Sequence, residues 1–213
     1  MTGRPVRRLP DVVTRRRFLQ IGGTVSMGAA FAACIGGGSS NSSRDSSAGA
    51  GGRRADATIT RTFSSVEAVA VVVYTTALDS GLLTTPAVTD LAKLFRSHHQ
   101  EHTALFTGTT RDLGGAPFTD PNPIMMQQVQ PALESLRDET TAVNLALDVE
   151  TILADTYQTT MGSFADKSFN VASMSVGGAE ARHATALAQA LGVPPVPQAF
   201  ETTDRAVPAG NGV

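Results

Sequence analysis

The sequence predicts an all-α protein, an antiparallel four-helix bundle with a long crossover between its second and third helices. Three observations support this fold class. Aromatic residues make up 5% of the 213 residues and tryptophan is absent, whereas alanine, leucine and valine are plentiful. Four apolar segments are each long enough to form a helix rather than a strand. A long connection rich in proline and glycine separates the second and third segments, which suits two helical hairpins joined by a crossover.

Composition divides the chain into four regions. We predict a signal peptide at residues 1–34, a flexible linker at 35–57, a four-helix domain at 58–195 and a C-terminal tail at 196–213. The first 34 residues carry six arginines against one acidic residue, which leaves 11 basic and 18 acidic residues in the remainder. An acidic domain without a basic cluster argues against nucleic-acid binding, which requires a positive surface.

The N-terminus contains a predicted export signal. Residues 14–20, Thr-Arg-Arg-Arg-Phe-Leu-Gln, resemble the twin-arginine export motif, with Gln20 where lysine is frequent. The weakly apolar run at residues 21–33 is too short and too interrupted to span a bilayer, so we interpret it as the apolar region of a signal peptide. The alternative is a basic N-terminal tail without a targeting role.

A lipid anchor is predicted at Cys34, the single cysteine of the chain. The sequence Phe31-Ala32-Ala33-Cys34 resembles a bacterial lipobox with phenylalanine in place of leucine. This resemblance implies lipidation of Cys34 and attachment to a membrane of the cell envelope. Cleavage after Ala32, which would release the protein, is the less favoured alternative. The Gly/Ser/Ala-rich residues 36–54 are predicted to act as a flexible tether.

Breakers and apolar patterns set the expected helix boundaries. A proline opens the second helix at Pro86, and three prolines after residue 193 end the domain. The connection leaves room for a short helix at 124–129, and the tail is expected to be extended or loose. Gly177 and Gly178 leave open a loosening of the last helix. The four predicted helices cover approximately residues 64–83, 87–106, 132–162 and 167–191.

The sequence also contains an internal duplication. Val66-Glu67 is followed after six residues by Tyr74, and Val149-Glu150 is followed after six residues by Tyr157. A histidine follows each glutamate, His102 after 35 residues and His183 after 33. A Glu and a Tyr seven residues apart lie on one face of a helix. The first two helices therefore look like a diverged copy of the last two, with the tyrosines filling the core or donating hydrogen bonds to the glutamates.

The duplicated residues match a metal-binding template. A four-helix bundle can hold two metal ions with one glutamate on each of two helices and a Glu-x-x-His pair on each of the other two. Anionic oxygens offset the charge of the ions, and neutral imidazoles complete their coordination. All four histidines of the chain fall on the two helices that this template assigns to histidine. The candidate ligands are Glu67, His99, His102, Glu150, Glu180 and His183.

On these residues the domain resembles the ferritin-like superfamily, in particular exported bacterial ferritin-like proteins of the desiccation-related type. The resemblance covers about residues 60–195. It implies binding of one or two ions of iron or manganese, with zinc also compatible. It also implies iron oxidation, peroxide handling or metal sequestration at the cell envelope. Whether the chain is catalytic, and whether it forms a homodimer, stay open at this point.

The second helix departs from the template. It carries His99-x-x-His102 where Glu-x-x-His is expected, and the neighbouring carboxylate, Glu101, is one residue out of register. One residue rotates a side chain by about 100° around the helix axis, so Glu101 is expected to face away from the site. Because adjacent residues cannot share a face, we also expect His98 or His99 to be exposed.

Each candidate ligand has a structural alternative. Glu67 fits a capping box that begins at Ser64, in which it would satisfy the start of its own helix. Glu150 and Glu180 could lie on solvated helix faces. A second hypothesis for the whole protein is a metal-free bundle with a buried polar network, acting as an envelope interaction or stress-protection protein.

Overall fold

The computed structural model describes residues 42–197, 199–200 and 202–213, with side-chain detail from residue 49 onward. These residues form five α-helices and no strand, which confirms the all-α fold class. The predicted export signal and Cys34 lie outside the described residues. In chain order, the helices are α1 (Ser42–Asp79), α2 (Pro86–Asp112), α3 (Pro123–Glu134), α4 (Glu139–Thr159) and α5 (Ser168–Leu191).

Two helical hairpins form the bundle. Short connections fold α2 back along α1 and α5 back along α4, so that each pair is antiparallel and closely packed. The hairpins meet where α1 packs on α4 and, less closely, where α2 packs on α5. The short helix α3 lies in the crossover and packs on α1 and α4. This is the predicted arrangement of two hairpins joined by a long connection.

The predicted third helix, 132–162, is wrong at its start. The chain instead forms α3, breaks after Glu134 and starts α4 at Glu139. Asp138 explains the break, because it caps α4 by accepting a hydrogen bond from Thr141 N at 2.7 Å, within a capping box. Such a cap satisfies backbone donors that a continuous helix would have bonded internally.

The first helix is longer than predicted, and the linker boundary at residue 57 is wrong. Residues 42–57 are helical, although the sequence there is rich in glycine and serine. Tertiary contacts compensate for the low helix propensity of these residues. Asp56 is buried and accepts hydrogen bonds from Ala165 N at 2.7 Å and Asp166 N at 3.0 Å. Arg53 donates to the backbone oxygen of Asp112 at 2.8 Å.

Two apolar clusters fill the interior. The larger one contains Tyr74, Phe95 and the aliphatic residues of α1 and α4. The smaller one is aromatic and is built around Phe63, Phe106 and Tyr157. Since Glu67 lies between Phe63 and Tyr74 on α1, the polar site lies between the two clusters. Burial on both sides keeps bulk water away from it.

The C-terminal residues are bound to the bundle, which corrects the expectation of a loose tail. Val207 is buried, and its backbone N–H donates to Thr156 Oγ1 at 3.0 Å. Gly210 N donates to Thr62 Oγ1 at 2.8 Å. Asn122, at the start of α3, donates to the backbone oxygen of Asn211 at 2.9 Å. The tail thus connects α1, the crossover and α4.

Helix α5 runs without interruption through Gly177 and Gly178, so the loosening considered there does not occur. It ends at Leu191, where Gly192 adopts a left-handed conformation with a φ of 71°. Glycine is favoured at this position because it has no Cβ to clash. Within the described part of the chain, each helix is too short or too polar to cross a lipid bilayer.

Candidate metal centre

All six predicted ligands meet in the middle of the bundle. Their ligand atoms form two groups, and within each group the atoms lie within 4.8 Å of one another. One group contains Glu67, His99, His102 and Glu180, and the other contains His99, Glu150, Glu180 and His183. His99 and Glu180 therefore belong to both groups. The duplication thus builds two half-sites that share two residues.

The three glutamates are fully buried, with 0% exposure each. The surface alternatives for Glu150 and Glu180 are therefore wrong. The capping-box alternative for Glu67 is also wrong, because α1 begins at Ser42 and Glu67 lies well inside it. Ser64 instead donates to the backbone oxygen of Phe118 at 2.7 Å. Three carboxylates in an apolar core require strong compensation by hydrogen bonds or cations.

Two tyrosines supply part of that compensation across the hairpins. Tyr74 on α1 donates to Glu150 Oε1 on α4 at 2.5 Å. Tyr157 on α4 donates to Glu67 Oε1 on α1 at 2.5 Å. Burial and the adjacent carboxylates raise the pKa of both phenols well above the usual value, so both hydroxyls remain donors. The predicted tyrosine–glutamate hydrogen bonds are present, and each one joins the two halves.

His99 occupies the position that a carboxylate fills in the template. Its Nδ1 lies 2.7 Å from Glu67 Oε2 and its Nε2 lies 3.0 Å from Glu150 Oε1. Ionised carboxylates only accept hydrogen bonds, so both ring nitrogens donate when His99 is an imidazolium. Burial opposes this charge, but Glu150 and Glu180 raise the pKa of His99 well above its usual value.

The other two predicted histidine ligands aim Nδ1 inward. His183 Nδ1 lies 3.0 Å from Glu180 Oε2 and 3.3 Å from Glu150 Oε2. His102 Nδ1 lies 2.8 Å from Glu180 Oε1 and 3.4 Å from Glu67 Oε2. Burial counteracts these carboxylates, which nevertheless raise the pKa of His102 to about 10 and raise the pKa of His183.

The pKa values of the three buried carboxylates shift in opposite directions. Burial favours the neutral form of Glu67, but His102 and His99 overcome it and lower its pKa to about 2. Glu150 is buried as well, and the charge of His99 and the hydrogen bond from His183 hold its pKa below the usual range. Burial and the charge of Glu67 raise the pKa of Glu180. The carboxylate shared by the two groups is therefore the hardest of the three to ionise without an added cation.

One pair of atoms tests whether this site fits a metal ion. His102 Nδ1 and Glu180 Oε1 are buried and form an ion pair at 2.8 Å, but their geometry is not that of an aligned hydrogen bond. When His102 is neutral, its Nδ1 can present a lone pair beside the carboxylates of Glu180 and Glu67. Imidazole and carboxylate together form a donor set that suits transition-metal ions. The residues present therefore fit a metal ion.

Sequence reasoning missed the role of His98. The expectation that His98 or His99 is exposed was wrong, because His99 is fully buried and His98 is half-buried. His98 Nδ1 lies 2.9 Å from His183 Nε2. The spacing of His98 and His102 could have indicated that His98 lies near the site, since residues four apart share a helix face. Glu101 is exposed, as its register predicted.

Glutamates and histidines buried between two helical hairpins form a group of side chains that could hold a metal ion in the bundle core. Residues 46–193 match the family model described as a ferritin-like domain. Because this match covers most of the chain, the protein belongs to the ferritin-like domain family. The chain has no match among the curated proteins or the solved structures compared with it.

Proposed function

We propose that this protein binds one or two transition-metal ions, with iron and manganese as the first candidates and zinc as the third. The observation that carries the proposal is the convergence of buried carboxylate and imidazole atoms in two groups, each with its ligand atoms within 4.8 Å of one another. His102 Nδ1 and Glu180 Oε1 belong to the first group. They face Glu67 in a site where carboxylate and imidazole ligands converge. This combination suits iron, manganese and zinc.

The chain's residues have distinct tasks in this proposal. Glu67 and Glu150 are the outer carboxylates, and Glu180 lies between the two half-sites. His102 and His183 provide one Nδ1 each. Tyr157 and Tyr74 orient the outer carboxylates through the oxygens at 2.5 Å. A bound iron or manganese ion would supply redox chemistry towards oxygen or peroxide, and the two apolar clusters would exclude bulk water from it.

The location of the protein is part of the proposal. The arginine motif at residues 14–20 and the lipobox-like sequence ending at Cys34 support export by the twin-arginine route and a lipid anchor in the cell envelope. A site of this kind at the envelope would serve iron oxidation, peroxide handling or metal sequestration. Loss of membrane attachment in a Cys34→Ser variant, measured by fractionation, tests the anchor independently of the metal.

Elemental analysis by plasma mass spectrometry tests the metal proposal. The protein should be purified without a metal-affinity tag. The full chain should be used, because α1 begins at Ser42 and removal of the predicted linker would shorten this helix. We expect one to two ions per chain, lost in His183→Ala and in Glu150→Ala. Glu134→Gln is the matched control, since Glu134 is an exposed carboxylate at the end of α3 and belongs to neither group of candidate ligands. Stoichiometric metal in both ligand variants would contradict the proposal.

A second candidate function rests on His99. Its two nitrogens already join Glu67 and Glu150 at 2.7 Å and 3.0 Å, which offsets part of the buried negative charge without an ion. A metal-free network of this kind can specify a unique core and suit a stress-protection or interaction protein. The melting temperature measured with and without chelator distinguishes the metal-binding protein from the metal-free one. An ion at 100 times its Kd stabilises the native state by about 2.7 kcal/mol, whereas a metal-free network does not respond.

A further inference from the structure

His98 belongs to neither group of candidate ligands, yet it contacts one of them directly. Its Nδ1 lies 2.9 Å from Nε2 of His183, and the two rings lie edge to edge, with centroids 5.2 Å apart and planes 18° apart. Phe95 stacks on His183, with centroids 4.0 Å apart. The ring of His183, which belongs to α5, is therefore held by two side chains of α2.

We propose that His98 is a positioning residue, which keeps the Nδ1 lone pair of His183 directed at a bound ion. This inference rests on the proposed metal-binding function. A neutral imidazole carries one hydrogen, on Nδ1 or on Nε2. For Nδ1 to coordinate, the hydrogen must lie on Nε2, and that N–H requires an acceptor. His98 Nδ1 is at hydrogen-bond distance and can accept it.

The duplication provides this histidine at one of two equivalent positions. His99 aligns with Glu180 and His102 aligns with His183, so His98 aligns with Ala179. The methyl group of Ala179 cannot accept a hydrogen bond. The counterpart of His183, His102, therefore lacks an equivalent residue at this position of α5. Removing the His98 side chain should thus affect the ion at His183 and spare the position formed by His102.

Packing is the competing explanation, because the ring of His98 also fills space beside His183. Two substitutions separate packing from hydrogen bonding. His98→Phe keeps an aromatic ring beside His183 and removes the acceptor. His98→Asn loses the ring, but its side-chain oxygen can accept from His183 Nε2. Gln100→Ala on the exposed face of α2 is the matched control.

Zinc is the probe, titrated into the full chain against a competing chelator. Loss of the hydrogen-bond partner of a metal-binding histidine costs about 10- to 100-fold in affinity. We expect that loss at one zinc position in His98→Phe, and near wild-type affinity in His98→Asn and Gln100→Ala. Nitrogen NMR of the imidazoles provides a readout that packing would not change. In zinc-loaded wild type and His98→Asn, the hydrogen of His183 should be on Nε2.

Each possible result either supports or overturns the positioning role of His98. Wild-type affinity in His98→Phe, or equal losses in His98→Phe and His98→Asn, would overturn the positioning role while the metal proposal stands. Wild-type protein that binds no zinc, iron or manganese would overturn both. If His98→Phe fails to fold, full affinity and the Nε2 hydrogen in His98→Asn still support the role, and their loss overturns it.

Discussion

The two hairpins of the bundle are similar enough for their differences to be informative. α1–α2 and α4–α5 each contribute a glutamate, a tyrosine seven residues later and a histidine at a matched distance. They differ where α2 has His99 and α5 has Glu180. Both residues lie between the half-sites, with His99 Nδ1 3.8 Å from Glu180 Oε2. The other close partners of Glu180 are two histidines, whereas those of His99 are two glutamates. The hairpins therefore differ in the charge that they place between the half-sites. An imidazolium at His99 offsets part of the negative charge of the buried glutamates, whereas the carboxylate of Glu180 adds to it.

Replacing either of these two residues by its counterpart should have the largest effect on stability and metal content. His99→Glu places a third carboxylate against Glu67 and Glu150 and removes the imidazolium between them. Breaking a buried charge pair costs roughly 3–5 kcal/mol, so we expect a loss of about that size in the free energy of unfolding with chelator present. With iron or manganese, the same variant should bind two ions per chain and recover stability.

The reciprocal change, Glu180→His, is the matched variant. It removes the carboxylate shared by both half-sites, so we expect loss of stoichiometric metal. Denaturant unfolding and elemental analysis of both variants provide the measurement. A His99→Glu variant that is as stable as wild type in chelator would show that His99 carries no compensating charge.

The pH dependence of the metal-free protein is the second test. Glu67 has a pKa of about 2 in the folded state against 4.5 unfolded, so its contribution is present above pH 4.5 and is lost as the pH falls towards 2. His102 has a pKa of about 10 against 6.5 unfolded, so its contribution is present below pH 6.5 and is lost as the pH rises towards 10.

The metal-free melting temperature should therefore be highest between about pH 4.5 and 6.5. Ion binding should show the opposite trend above this range and become tighter with rising pH, because the ion competes with protons for the ligands. Calorimetry with chelator and metal titration at pH 6, 7 and 8 check the two trends. A metal-free melting temperature that rises from pH 6.5 to pH 9 would contradict the charged state of His102.

The two tyrosines offer a smaller, symmetric test. Tyr74→Phe and Tyr157→Phe each remove one hydrogen bond to a buried carboxylate. Hydrogen bonds to charged groups contribute about 1.5–3 kcal/mol, and we expect losses in this range for both variants in urea unfolding with chelator. Each variant is the control for the other. A loss confined to one of them would show that the two halves are not equivalent at these positions.

The smallest expected effect concerns two adjacent glycines of α5. A Cβ on Gly177 would lie 2.8 Å from Tyr157 Cβ, whereas a Cβ on Gly178 would meet open space. Gly178→Ala should stabilise the protein by up to about 1 kcal/mol, the usual gain in a helix interior. Gly177→Ala should destabilise it by about 1 kcal/mol or more, because overpacking outweighs that gain. Thermal melting compares the two variants, and equal shifts would contradict the close packing.

The sequence was a good guide where periodicity and duplication carried the signal. Glu67, Glu150 and the tyrosines were identified because paired residues seven apart point to one helix face. The sequence was a poor guide where tertiary contacts override local preference. The glycines at 49, 51 and 52 predict a linker, and the contacts of Arg53 and Asp56 that stabilise helix there come from residues more than 50 positions away.

The role of His98 was hidden for another reason. Because His98 and His99 are adjacent, we expected one of them to face solvent. This expectation assumes that α2 has only one buried face. The site spans two half-sites, and α2 faces both α1 and α5. His99 therefore points towards Glu67 while His98 reaches His183, and only the placement of α5 reveals the second contact.

The bound C-terminal segment has a consequence for how the two hairpins come apart. The hydrogen bonds of Val207, Gly210 and Asn211 reach α4, α1 and the start of α3. One short segment thus links both hairpins and the crossover, so its release removes contacts from the two halves of the bundle at once. Local opening of this segment and separation of the hairpins are therefore coupled events, although the segment contributes no residue to the site.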